Sequence, residues 1–184
     1  CKFQAIADPK AGPLIAIRAR GLLLKAQGEP DLVCRPNSVS DRIEDLPPLD
    51  LCLLCVKQFD LTATLERLRP AVRAETILLP LLNGMDVHAR IRRVIHEGIV
   101  LPACVYIGTH IESAGVVAQS GGARMILLGP DPGRPEFVPE AVLELFQRAG
   151  IRFEWKAEVQ SDIWEKFIFI AAFGLVTATS GRTT

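Results

Sequence analysis

The sequence has no excess of charge of either sign: Lys plus Arg number 21 and Asp plus Glu number 21 in 184 residues. A neutral chain lacks the general attraction to nucleic acid or to an anionic membrane surface, so neither is expected as a partner. It also lacks an even, regularly spaced set of cysteines. The five present are odd in number and scattered, which excludes a disulfide framework and suits free thiols in a reducing cytoplasm. The longest apolar run, Phe167 to Val176, is shorter than the roughly 20 residues that span a bilayer. An amino end with Lys2, Asp8 and Lys10 does not read as a signal peptide. His88, His96 and His110 lack metal-ligand spacing and read as surface or loop residues. No metal site is expected, no Ser-His-Asp signature stands out, and there are no internal repeats. The chain does not open with Met and stops just after a strongly apolar stretch, so a fragment missing pieces at each end is expected.

What is present is an apolar share of 49%, enough for a large core, arranged as short apolar runs alternating with helical patterns. Phe3 to Ala7 reads as a strand and Pro13 to Arg20 as a helix stopped by Gly21. Leu51 to Val56, Thr76 to Leu82 and Ile99 to Ile107 are continuous apolar runs, the pattern of strands buried on both faces in a parallel sheet. Between them, Asp60 to Leu68 reads as a helix stopped near Pro70, and Val87, Ile91 and Val94 form one face of another. Strand and helix in alternation predict α/β architecture with right-handed crossovers. Val116 to Ala118 and Met125 to Leu128, separated by Gly121-Gly122, read as an antiparallel pair. A helix from about Pro139 to Ala149 and a strand from Ile151 to Trp155 follow.

The last segment differs. Asp162 precedes Glu165 by three residues, a capping-box spacing, and a helix is predicted from Ile163 to about Thr177. It is apolar nearly all round, so it should be buried on every side. Such a helix should join the first domain to a second one or to a partner chain, and a homodimer is one form this could take.

Three residues could carry chemistry. Lys57 closes the strand Leu51 to Val56, and ligands of open α/β sheets bind beyond the carboxyl ends of the strands. A lysine there can reach a phosphate or carboxylate, or simply be solvated. Asn83-Gly84 closes the next strand; a helical pattern follows, so it reads as a strand-to-helix turn that lets a ligand approach the backbone, or as an ordinary tight turn. Lys166 lies in the first turn of the apolar helix. Burial would lower its pKa, as suits a proton donor or acceptor near neutrality; alternatively its stem packs and its ammonium reaches water. Cys52 and Cys55 form C-x-x-C, but residues three apart on a strand point to opposite faces, so core packing is the reading.

V-K-Q-F-D (56–60), L-L-N-G-M (81–85), S-A-G-V-V-A-Q-S-G (113–121), I-L-L-G (126–129) and D-I-W-E-K-F (162–167) occur in that order. Together they resemble the ketopantoate reductases (2-dehydropantoate 2-reductases), across nearly the whole chain. The resemblance implies a Rossmann-like doubly wound sheet lacking its first strand and glycine-rich turn, over residues 1–160. Residues 161–184 would then start an all-α second domain. It also implies cytoplasmic, NADPH-dependent reduction of a small-molecule 2-oxo acid to the 2-hydroxy acid, as in pantothenate biosynthesis. Lys166 would be the general acid. Lys57 and Asn83 would serve cofactor and substrate near the nicotinamide and its ribose, and Lys10 the 2′-phosphate.

Three departures from the family pattern stand out. No G-x-G-x-x-G turn precedes Phe3, the second domain is not present beyond Thr184, and Ile170 and Gly174 stand where known members place asparagines. An isoleucine cannot hydrogen-bond a polar substrate, which points to a less polar 2-oxo acid or another carbonyl compound. The rival readings are a non-catalytic dinucleotide-binding or sensing protein of the same fold, and a purely structural fragment.

Overall fold

The structure is a computed structural model that describes residues 4–6, 11–45 and 47–181. In chain order the strands and helices are β1 (Gln4–Ile6), α1 (Ala11–Arg20), β2 (Leu22–Ala26), β3 (Leu32–Cys34), β4 (Ser38–Ser40), β5 (Leu51–Leu54), α2 (Leu61–Leu68), β6 (Ile77–Pro80) and α3 (Val87–Arg92). Then come β7 (Ile99–Val100), β8 (Ala103–Tyr106), β9 (Thr109–Ser113), β10 (Val116–Gln119), β11 (Met125–Leu128), α4 (Glu140–Arg148), β12 (Arg152–Trp155) and α5 (Gln160–Ser180). Short 3-10 turns flank α2, at Gln58–Asp60 and Arg69–Ala71. The chain forms two compact units: residues 1–48 with 106–124, and residues 49–105 with 125–184.

In the first unit β1 pairs with β4 in parallel, and a four-stranded sheet runs in the order β3-β2-β10-β9. Helix α1 stops where the sequence says it should, at Gly21, whose φ of +83° suits a residue without a Cβ.

The second unit holds two three-stranded sheets, β5-β6-β7, which is all parallel, and β12-β11-β8. Leu78 and Leu79 are neighbours in β6 and both are fully buried. Successive strand residues face opposite sides, so β6 is covered on both faces, as its unbroken apolar run requires. One face meets a core of Leu79, Leu101, Leu128, Val142 and Phe146 that also takes in side chains of the other sheet and of α4. Leu61, Leu65 and Leu68 of α2 and Val87 and Ile91 of α3 are buried as well.

The architecture is α/β and Rossmann-like, as the alternation of elements predicts, with five local corrections. The run Ile99 to Ile107 is two strands, because Pro102 has no N–H for a ladder; its carbonyl instead accepts from Gly129 N at 3.1 Å. Strand β5 is not covered on both faces: among the described residues it pairs with β6 alone, and Leu53 is 40% exposed. Strands β10 and β11 do not pair with each other. β10 lies between β2 and β9, and β11 runs parallel to β12.

The other two corrections concern α5. It begins earlier than the sequence suggests, without the Asp162–Glu165 box. The Glu158 carboxylate accepts from Gln160 N at 2.7 Å and Ser161 N at 3.2 Å, doing the work of a cap, while Asp162 accepts from Lys156 Nζ at 2.6 Å. Nor is α5 enclosed. Ile163 alone of its residues is buried, and Phe169 is 67% exposed among the described residues. At 21 residues and a mean hydropathy of 1.4, α5 is long and apolar enough to cross a membrane by length and composition. Counting only the run Phe167 to Val176 misses this, because Ile163 and Trp164 add apolar residues before it and Thr177 to Ser180 add small and hydroxyl residues after it.

Candidate active site

Strands β5 and β6 are parallel neighbours, so their carboxyl ends open on the same edge of the sheet. Lys57 follows β5 and is exposed. Gln58 comes next, in the 3-10 turn that leads into α2. Asn83 and Gly84 form the turn between β6 and α3. Gly84 has φ of +140°, and a Cβ there would meet the Gln58 amide and lie 2.9 Å from Val87 Cγ2. Glycine is therefore required by both backbone conformation and space.

The two turns are tied together through Gln58. Its side-chain Nε2 donates to the Asn83 carbonyl, and its Oε1 accepts from Arg90 Nη1 of α3. Arg90 Nη2 also donates to the Gln58 carbonyl at 3.1 Å.

Lys166 reaches this corner from the second turn of α5. Its Nζ donates to Asn83 Oδ1 at 2.9 Å and to the Val105 carbonyl at 2.6 Å. The side chain is half-buried, and burial lowers its pKa below the usual lysine value, partly offset by the neighbouring Cys104 thiol. Beside the ammonium and Asn83 lies a small, open pocket, otherwise lined by Leu82, Gly84, Cys104, Ile163, Phe167 and Ile170. The site thus joins one cation and one amide to an apolar wall.

Of the residues singled out in the sequence, the structure brings Lys166 and Asn83 into direct contact. Lys57 stands exposed beyond β5 and does not line the pocket, and Lys10 lies outside the described residues. Among the described residues no cluster of His, Cys, Asp and Glu could hold a metal. Burial, reinforced by Cys55, pushes the Cys52 thiol up to about 11, and burial raises the Cys55 thiol as well, so neither is an activated nucleophile.

Two features escape sequence reasoning. Gln58 and Arg90 belong to different elements and no local spacing connects them. Asp131 sits in a proline-rich loop, yet it is fully buried. Asp131 Oδ2 accepts from Val100 N at 2.8 Å and from Arg92, and Oδ1 accepts from Gly133 N at 3.0 Å. His88 is consequently not a plain surface residue, since its Nε2 lies 3.3 Å from Asp131 Oδ1. The D-P-G turn (131–133) was the one available signal, because an Asp there accepts from the backbone two residues on.

Fold and site define a Rossmann-like α/β protein with a lysine and an amide at the strand ends. Residues 6–132 match the family described as ketopantoate reductase PanE/ApbA, and the chain belongs to that family. It is 25% identical over 190 residues to the 2-dehydropantoate 2-reductase of Mesorhizobium japonicum, covering 92% of this chain and 57% of that protein. To the Vibrio cholerae 2-dehydropantoate 2-reductase it is 28% identical over 142 residues, covering 76% of this chain and 46% of that protein. The crystal structure of 2-dehydropantoate 2-reductase from Porphyromonas gingivalis W83 matches with a TM-score of 0.85 at 30% identity, over 98% of this chain and 62% of that one. The chain spans about half the length of the curated relatives it matches.

Proposed function

We propose that this chain carries the proton-delivery part of an NADPH-dependent reductase that converts a 2-oxo acid to the 2-hydroxy acid. The observation that carries the reading is the position of Lys166 Nζ between Asn83 Oδ1 and the Val105 carbonyl, at the carboxyl ends of the parallel strands. Family membership supports the reaction class.

The parts of the cofactor that this chain's residues would hold are the nicotinamide and its ribose, by Lys57 and Asn83, and the 2′-phosphate, by Lys10. The fit rests on the place of Lys57 and Asn83 beyond the carboxyl ends of the neighbouring parallel strands β5 and β6. A bound nicotinamide supplies the hydride. Lys166 supplies the proton to the carbonyl oxygen, and its lowered pKa makes that transfer easier. Asn83 orients the ammonium, and Lys57 offers a charge to the substrate carboxylate. Leu82, Ile163, Phe167 and Ile170 surround the ammonium with hydrocarbon. This favours a 2-oxo acid with an apolar side chain over a hydroxylated one such as ketopantoate, because a buried hydroxyl without a partner costs about 1–3 kcal/mol. In this reading the protein is a cytoplasmic enzyme, and α5 opens a second, helical domain that also offers a surface for a homodimer.

The test is turnover by the intact protein. NADPH and NADH oxidation is followed against a panel of 2-oxo acids with apolar and hydroxylated side chains. Reduction is expected, with kcat/KM highest for apolar side chains and with NADPH. Binding of NADPH by calorimetry with no turnover on any carbonyl would favour the second reading, a non-catalytic dinucleotide sensor; that reading draws on the apolar wall and on the separation of Lys57 from the pocket.

A further inference from the structure

We propose that Gln58, braced by Arg90, is a positioning residue that aims the Asn83 side chain at the Lys166 ammonium. The inference rests on the assignment of Lys166 as proton donor, but it concerns residues outside the pocket lining.

Both ends of the Gln58 side-chain amide are engaged. Its Nε2 donates to the Asn83 carbonyl, its Oε1 accepts from Arg90 Nη1, and its own carbonyl accepts from Arg90 Nη2 at 3.1 Å. A primary amide has one donor end and one acceptor end. The Arg90 guanidinium can only donate, so it selects Oε1 and turns Nε2 toward Asn83. Arginine thereby fixes which way the amide faces, and the amide fixes the direction of the Asn83 carbonyl.

Once that carbonyl points to Gln58, the Asn83 side chain is free to lie on the Lys166 side, where Oδ1 accepts from Nζ at 2.9 Å. Gly84 belongs to the same device. A Cβ at that position would strike the Gln58 amide, so the turn can close on Gln58 only with glycine there. The chain of contacts runs from α3 through the turn after β5 and the turn after β6 to α5. Three stretches of sequence, at Gln58, at Asn83 to Arg90 and at Lys166, are linked in this way.

A residue that merely staples two turns would affect stability alone. A residue that aims Asn83 also affects proton transfer. The Asn83 Oδ1 bond favours the charged form of Lys166. The groups acting on Lys166 from the elements packed against it include the Cys104 thiol and the Val105 carbonyl of β8 and the neutral Asn83 amide. When Asn83 swings away, Lys166 loses an acceptor, its pKa falls further, and the protonated acid is depleted at a lower pH.

The experiment uses the intact protein and the variants Gln58→Ala, Gln58→Glu and Lys166→Ala. Gln58→Glu keeps the size and the Arg90 contact, but a carboxylate cannot donate to the Asn83 carbonyl; it carries the test if Gln58→Ala folds poorly. Both Gln58 variants are expected to lower kcat about ten- to hundredfold, as displaced catalytic geometry does, with KM for the 2-oxo acid changed far less. Gln58→Ala should also move the alkaline limb of the kcat profile to lower pH; in Gln58→Glu the added carboxylate favours the Lys166 ammonium, so that variant is read by kcat. Lysine-selective NMR of Gln58→Ala should show the Lys166 titration moving the same way in the absence of cofactor and substrate. Wild-type kcat in Gln58→Glu would overturn the proposal. So would a drop in kcat of Gln58→Ala that follows melting temperature while the limb and the Lys166 titration stay in place. If Lys166→Ala retains wild-type kcat, the underlying assignment fails, whatever Gln58 does.

Discussion

Lys166 and Asp131 are both withdrawn from water, with opposite consequences. At Lys166 burial dominates, and its two acceptors do not restore the usual lysine pKa. At Asp131 burial alone would push the carboxyl up. The N–H groups of Val100 and Gly133 and the Arg92 guanidinium outweigh it and hold the pKa below the ordinary value of 3.8. A carboxyl with a depressed folded pKa contributes stability above its unfolded pKa and loses it as pH falls through the folded value. The Asp131 contribution should therefore persist through neutral pH and vanish only in acid below about 3.8. Replacing Asp131 with Ala leaves the Arg92 charge and the Val100 N–H unpaired. Urea unfolding at neutral pH is expected to show a loss of about 3–5 kcal/mol, as when one partner of a buried pair is removed. The loss should shrink in strong acid.

Among the secondary-structure elements, the turns after β5 and β6 do the positioning, and Gly84 is where they meet. Gly84→Ala should destabilise the protein by about 1–3 kcal/mol through the positive φ alone. It should also lower kcat, because the new Cβ displaces the Gln58 amide; melting temperature and turnover measured on the same sample check both effects. The elements that sequence revealed are those whose signal is local. β6 announces itself as an unbroken apolar run, α1 by Gly21, and α4 by its amphipathic spacing. What sequence misassigned depends on distant partners. β10 is short and apolar like β11, but its neighbours are β2, more than 80 residues away by register (Val116 with Leu23), and β9. The start of α5 was misread because Glu158, outside the helix, takes the first N–H groups. At the site, Asn83 and Lys166 stand out by their places at strand and helix ends and are in contact, whereas Lys57, which stands out in the same way, does not line the pocket. Gln58, Arg90 and Asp131 do not stand out, since their roles arise from hydrogen bonds across elements.

For the molecule as a whole, the chain belongs to the ketopantoate reductase family and spans about half the length of its curated relatives. Within the described residues Ile168, Phe169, Leu175 and Val176 of α5 are all more than 60% exposed. The site rests on the amino-terminal turns of α5, where Ile163 is buried and Lys166 meets Asn83, so an uncovered far end need not disturb it. The central claim is that Lys166 delivers the proton. Its most direct test is kcat of Lys166→Ala against wild type, in the intact protein with NADPH and the best 2-oxo acid substrate. The account predicts a fall of about 10²- to 10⁴-fold, the usual contribution of a positioned acid, with cofactor binding retained. An unchanged kcat would contradict it.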